Sequence, residues 1–112
     1  MLTNPDRDIS EKPIFLVDSS SWYSIVPLVL ARKLKLKPVM KTKLTLADKL
    51  KLDVQLSPAY ISIMSREVAT LVALMNVPEP LLGVETMEAL GLKLNPVRRK
   101  LEVTRPYTTL LV

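Results

Sequence analysis

Apolar and polar residues alternate along much of this chain, and nine prolines with only two glycines punctuate a series of short apolar runs. A period of two marks strands with one wet face, so the pattern predicts a mostly β protein. The clearest stretch places Thr42, Leu44 and Leu46 on one face and Lys41, Lys43 and Thr45 on the other. After a turn at Ala47-Asp48-Lys49, Leu50, Leu52, Val54 and Leu56 alternate with Lys51, Asp53 and Gln55. Two strands of equal period across a short turn read as a long hairpin, apolar on one side and charged on the other. A second, more buried hairpin is predicted from Ala59 to Met64 and Glu67 to Leu74, joined at Ser65-Arg66. Asn76, Pro78 and Pro80 make residues 75–80 a loop.

Two short helices interrupt the strands. Pro27 suits the first turn of a helix running to Leu34. Glu85 to Leu90 carries acidic residues early, where the helix dipole favours them, and Gly91 follows where a left-handed cap is wanted. The tail, Lys100 to Val112, reads as two β segments separated at Arg105-Pro106. Its apolar end would be an exposed edge unless it pairs with another subunit.

Length and composition narrow the classes. At 112 residues the chain is expected to form a single domain, 1–112, with one core. Hydrophobic residues make up 48% but aromatics only 4%, so the core must be aliphatic, and the surplus of apolar surface predicts a homodimer. No run reaches the ~18 apolar residues of a membrane span, and Met1 to Lys12 is polar, so a soluble, cytoplasmic protein without membrane partners is expected. The net charge of +5 is concentrated at residues 32–51, where eight Lys or Arg stand against Asp48 alone. Most of these lysines alternate with apolar residues, as on the solvated face of a strand, and no aromatics interleave with them. Nucleic-acid binding is therefore disfavoured.

The absence of Cys and His removes thiol nucleophiles, histidine triads and most zinc sites, so neither a metal nor another cofactor is expected. Carboxylate chemistry remains. The apolar run Ile14-Phe15-Leu16-Val17 delivers Asp18 onto Ser19-Ser20-Ser21. Taken alone, Asp18 is equally an ordinary aspartate opening a polar turn, because Asp and Ser bond locally to the backbone. Trp22 and Tyr23 fit either the border of a cleft or packing at the turn or a subunit contact.

Together with downstream motifs, Phe15-Leu16-Val17-Asp18-Ser19-Ser20-Ser21 and the apolar pair Ile25-Val26 resemble the active-site segment of retropepsin-like aspartic proteases, of the single-domain bacterial and archaeal kind. Residues 30–36 are similar to the short helix of those proteins, and Leu46-Ala47-Asp48, with Lys49, to their flap tip. Pro80-Leu81-Leu82-Gly83, leading into Val84 to Leu90, resembles their second signature. The match spans about residues 13–103, leaving 104–112 as a C-terminal dimerisation segment. The resemblance implies an all-β fold, a small closed barrel with a flap hairpin and one or two short helices. It also implies an aspartic endopeptidase acting on extended peptides or proteins, in which two chains each supply Asp18. Two carboxylates about 3 Å apart share a proton, so one activates water while the other protonates the scissile carbonyl. By the same resemblance Ser19 bonds across the dimer, residues 43–56 close over the substrate, and Leu81, Leu82 and Gly83 form a substrate pocket. Ser20 and Lys49 stand where the family has glycine, and Ser21 where it has a small apolar residue. The competing reading is a catalytically degenerate dimer that binds peptide or assembles a complex.

Overall fold

The computed structural model describes residues 1–45 and 49–104. It consists of β1 (Leu2–Thr3), β2 (Ser10–Glu11), β3 (Leu16–Val17), β4 (Ile25–Pro27), α1 (Leu28–Lys33), β5 (Met40–Thr45), β6 (Lys51–Ile63), β7 (Arg66–Met75), β8 (Leu81–Leu82), α2 (Val84–Leu90), β9 (Leu92–Asn95) and β10 (Lys100–Val103). Eight strands form one curled, half-barrel sheet in the order β2-β1-β6-β7-β4-β8-β3, with β5 also on β6. β9 and β10 form a separate antiparallel pair. The mostly β architecture and both helices agree with the alternation and the cap signals in the sequence.

The long hairpins meet in a single strand. Residues 51–63 run without a break, whereas the sequence reading divided them at Ser57-Pro58. Proline is tolerated in this central strand because of where its nitrogen faces. The Val39 amide donates to the Leu56 carbonyl at 2.9 Å and the Ser62 amide to the Met1 carbonyl at 2.8 Å, so even-numbered residues of β6 turn their peptide groups towards β5 and β1. Along β6 the pairing with β5 stops at Leu56, opposite Met40, and the pairing with β1 starts at Tyr60, opposite Thr3. Pro58 falls in the gap between them, where no donor is required. The turn into β7 is Met64-Ser65, one residue earlier than expected, with Ile63 paired to Arg66. Both turn residues have positive φ, 53° and 61°, as a two-residue type I′ hairpin demands.

Helix α1 is held at its end without glycine. The Leu36 amide donates to the Ala31 carbonyl at 3.0 Å and the Lys35 amide to the Arg32 carbonyl at 3.1 Å, a Schellman closure with Lys35 at φ 55°. Gly91, at φ 71°, ends α2 as its position in the sequence predicts. The aliphatic core buries Leu2, Leu34, Ile61 and Leu82 completely in one cluster, with Leu56 in a second that also holds Ile25, Val54 and Ala73. Each such side chain contributes about 1.5–3 kcal/mol by leaving water. Lys41, Lys43 and Lys51 lie on the exposed face of the hairpin, as the alternation requires. Lys43 lies 3.8 Å from Asp53 across the strands, an exposed pair of little energetic weight. Among the described residues no helix is long and apolar enough to cross a membrane.

A non-glycine residue held in the left-handed region costs on the order of 1 kcal/mol. Lys35→Gly, and separately Met64→Asn with Ser65→Gly, should each raise stability by about that amount in chemical denaturation. No gain from either would mean that those backbone angles are not those described.

Candidate active site

The Asp18 turn is built by its flanking strands. β3 enters it and β4 leaves it, and both pair with β8, which lies between them: Leu16 faces Leu81 in parallel register, and Ile25 faces Leu81 in antiparallel register. The Asp18 amide donates to the Leu82 carbonyl at 2.9 Å, which fixes the residue at the end of its strand. The turn then closes on itself through the Ser21 amide and the Asp18 carbonyl at 3.2 Å.

The carboxylate of Asp18 is half-buried, and one of its oxygens is held twice. Both the backbone amide of Ser20, at 3.0 Å, and the Ser20 hydroxyl, at 2.5 Å, donate to Oδ1. Ser20 does not take positive φ, so its backbone has no need of glycine, and the hydroxyl that replaces the hydrogen is spent on the aspartate. Ser21 turns away: its hydroxyl donates to the Tyr23 carbonyl at 2.7 Å. Ser19 is exposed on the turn.

The second signature locks the turn from below. Helix α2 has no side-chain cap; instead the Val84 and Glu85 amides donate to the carbonyls of Ser21 and Trp22, at 2.8 and 3.0 Å. The orphan amides of the helix are thus satisfied by the turn itself. Gly83 is required for this approach, because a β-carbon there would stand 2.4 Å from the Tyr23 carbonyl oxygen and 2.7 Å from that of Trp22. The Gly83 amide donates to Ser24 Oγ at 2.9 Å, and Ser24 Oγ shares a further bond with Thr86 Oγ1 at 2.6 Å, all within the interior.

A cleft of about 590 Å³ opens above Asp18. Ser20, Ser21 and Trp22 line it from the turn, Ile25 and Leu81 from the strands beside it, Lys43 to Thr45 from the β5–β6 hairpin, Met75 from the end of β7 and Val77 from the segment that follows. Of the expected pocket residues, Leu81 reaches the cleft. Leu82, one residue on, points the other way, is fully buried and lines a second cavity of about 310 Å³ with Phe15, Val17 and Leu101. Gly83 is buried beneath the turn and acts through backbone approach. Lys49 adopts φ 66°, the conformation glycine would take, while Leu46, Ala47 and Asp48 lie outside the described residues. Sequence reasoning did not single out Ser24, Thr86, Met75 or Val77 for the site. The alternation of Met75 and Val77 just before the second signature is the signal that would have pointed to the last two. Among the described residues no three potential ligands cluster to hold a metal ion.

No protein-family model matches the chain, and no curated protein matches it in sequence. Among solved structures it is similar to EIAV protease complexed with the inhibitor HBY-793, with a TM-score of 0.59 and 21% identity, over 72% of this chain and 79% of that one. The fold is retropepsin-like. In this retropepsin-like frame the strands around the Asp18 turn, the hairpin of β5 and β6, and the Gly83–α2 segment follow in the chain order that the sequence motifs predict.

The backbone contact beneath the turn makes two substitutions informative. Gly83→Ala should cost about 3 kcal/mol or more, since the atoms it meets are main chain and cannot rotate aside. Ser24→Ala, which strands the Gly83 amide, should cost about 1–3 kcal/mol. Thermal or urea unfolding checks both, and a neutral Gly83→Ala would refute the close approach.

Proposed function

We propose that the chain is the protomer of a homodimeric aspartic endopeptidase, formed as one domain over residues 1–112, with Asp18 of each subunit contributing to a shared dyad. The observation that carries this reading is the carboxylate of Asp18 at the base of an otherwise largely apolar cleft, on a turn pinned by two strands and a helix within a retropepsin-like fold. A titratable group set among apolar walls is what a binding or catalytic pocket for peptide requires. With Oδ1 held by Ser20, the second carboxylate oxygen is left to meet water or a partner's carboxyl group. Ser19, exposed on the turn, is placed in this proposal at the contact with the second subunit, and residues 104–112 serve as the dimerisation segment.

The sharing of one proton by paired carboxylates makes activity acid-favoured, because full ionisation of both groups removes the acid needed to protonate the carbonyl. Denatured protein or apolar peptides incubated from pH 3 to 7 should be cleaved fastest towards the acid side. Asp18→Asn should lower the rate by about 10²–10⁴-fold. A statine-type inhibitor should block the wild-type protein. Equal cleavage by wild type and Asp18→Asn would remove Asp18 from the mechanism.

A second reading, a peptide-binding or assembly module without turnover, is favoured by one feature: the Ser20 hydroxyl already occupies Oδ1. Ser20→Gly separates the two. Activity appearing only in that variant would identify the natural site as a binding module, whereas activity already present in the wild type assigns it as a protease.

A further inference from the structure

We infer that Trp22 is a specificity-determining residue of the cleft, a planar wall that selects peptides carrying an aromatic side chain in the neighbouring subsite; this rests on the peptide cleft proposed above. Trp22 is 54% exposed although it belongs to the best-anchored turn of the molecule. Its carbonyl accepts from the Glu85 amide at 3.0 Å and lies over Gly83, so the backbone is fixed while the indole is left uncovered on the cleft wall. A large aromatic surface held at little entropic cost is the kind of group that dominates binding sites. Other residues of the same lining strengthen the choice of ligand. Met75, Ile25 and Leu81 are apolar, and the Met75 thioether favours contact with an aromatic ring over an aliphatic chain. Aromatic pairs gain beyond their buried area through ring geometry, so phenylalanine should bind about three- to tenfold more tightly than leucine where it meets the indole.

The chain contains a single tryptophan, so its own emission reports on the site. The test uses Asp18→Asn, which removes hydrolysis, and a set of apolar octapeptides in which Phe replaces Leu at each position in turn. One position, or two related by the twofold axis of the proposed dimer, should show the Phe preference, with a blue shift of Trp22 emission. By calorimetry, Trp22→Leu should reduce the Phe-to-Leu ratio there to about one, while Trp22→Phe should keep most of it. An unchanged ratio in Trp22→Leu, or no binding by any peptide, overturns the inference. So does sedimentation showing that Trp22→Leu converts a dimer to monomers, since the indole is then a subunit contact. Because binding is read without turnover, a Phe preference that disappears in Trp22→Leu, found alongside a wild-type protein that cleaves none of these peptides, would reject the protease reading and leave the role of Trp22 intact.

Discussion

Everything in the site depends on one close approach, that of Gly83 to the main chain of Trp22 and Tyr23. Only a residue without a β-carbon lets α2 begin directly beneath the Asp18 turn. Once it does, the first amides of the helix bond to the turn's carbonyls, and the Gly83 amide reaches Ser24. Three backbone amides, those of Gly83, Val84 and Glu85, are thus satisfied in one place by the turn and by Ser24. The turn is therefore rigid for a reason independent of any substrate, and the carboxylate it carries is aimed before a ligand arrives.

The same economy appears wherever the chain does without glycine. Lys35, Lys49, Met64 and Ser65 all adopt left-handed angles that glycine would take more cheaply. At Ser20 the departure from the retropepsin-like pattern is of another kind. Its backbone has ordinary φ, and the added hydroxyl donates to Asp18 alongside the amide. The substitution thus replaces empty space in the cleft by a second restraint on the aspartate. Ser20 and the carboxylate of Asp18 both line the cleft.

Much of this was legible in the sequence because alternation and caps are local. The lysine-striped hairpin, the helix ending at Gly91 and the strand delivering Asp18 each follow from a handful of adjacent residues. What was not legible depends on distant pairing. The division at Pro58 was a sound local inference, and it fails because β1 and β5 leave a gap opposite that nitrogen. Leu82 was grouped with Leu81, yet neighbouring residues in a strand face opposite ways, and only the pairing of β8 with β3 and β4 tells which one meets the cleft. The role of Ser24 with Thr86 joins residues 62 apart, and nothing local announces it.

Whether Asp18 works in pairs is the central claim, and subunit mixing tests it most directly. Wild-type and Asp18→Asn chains, combined in equal amounts and allowed to exchange, should retain about one quarter of the activity of the same total of wild type, because only dimers with two aspartates would act. Retention of about one half would show that each chain acts alone, and would contradict a site shared across a twofold axis.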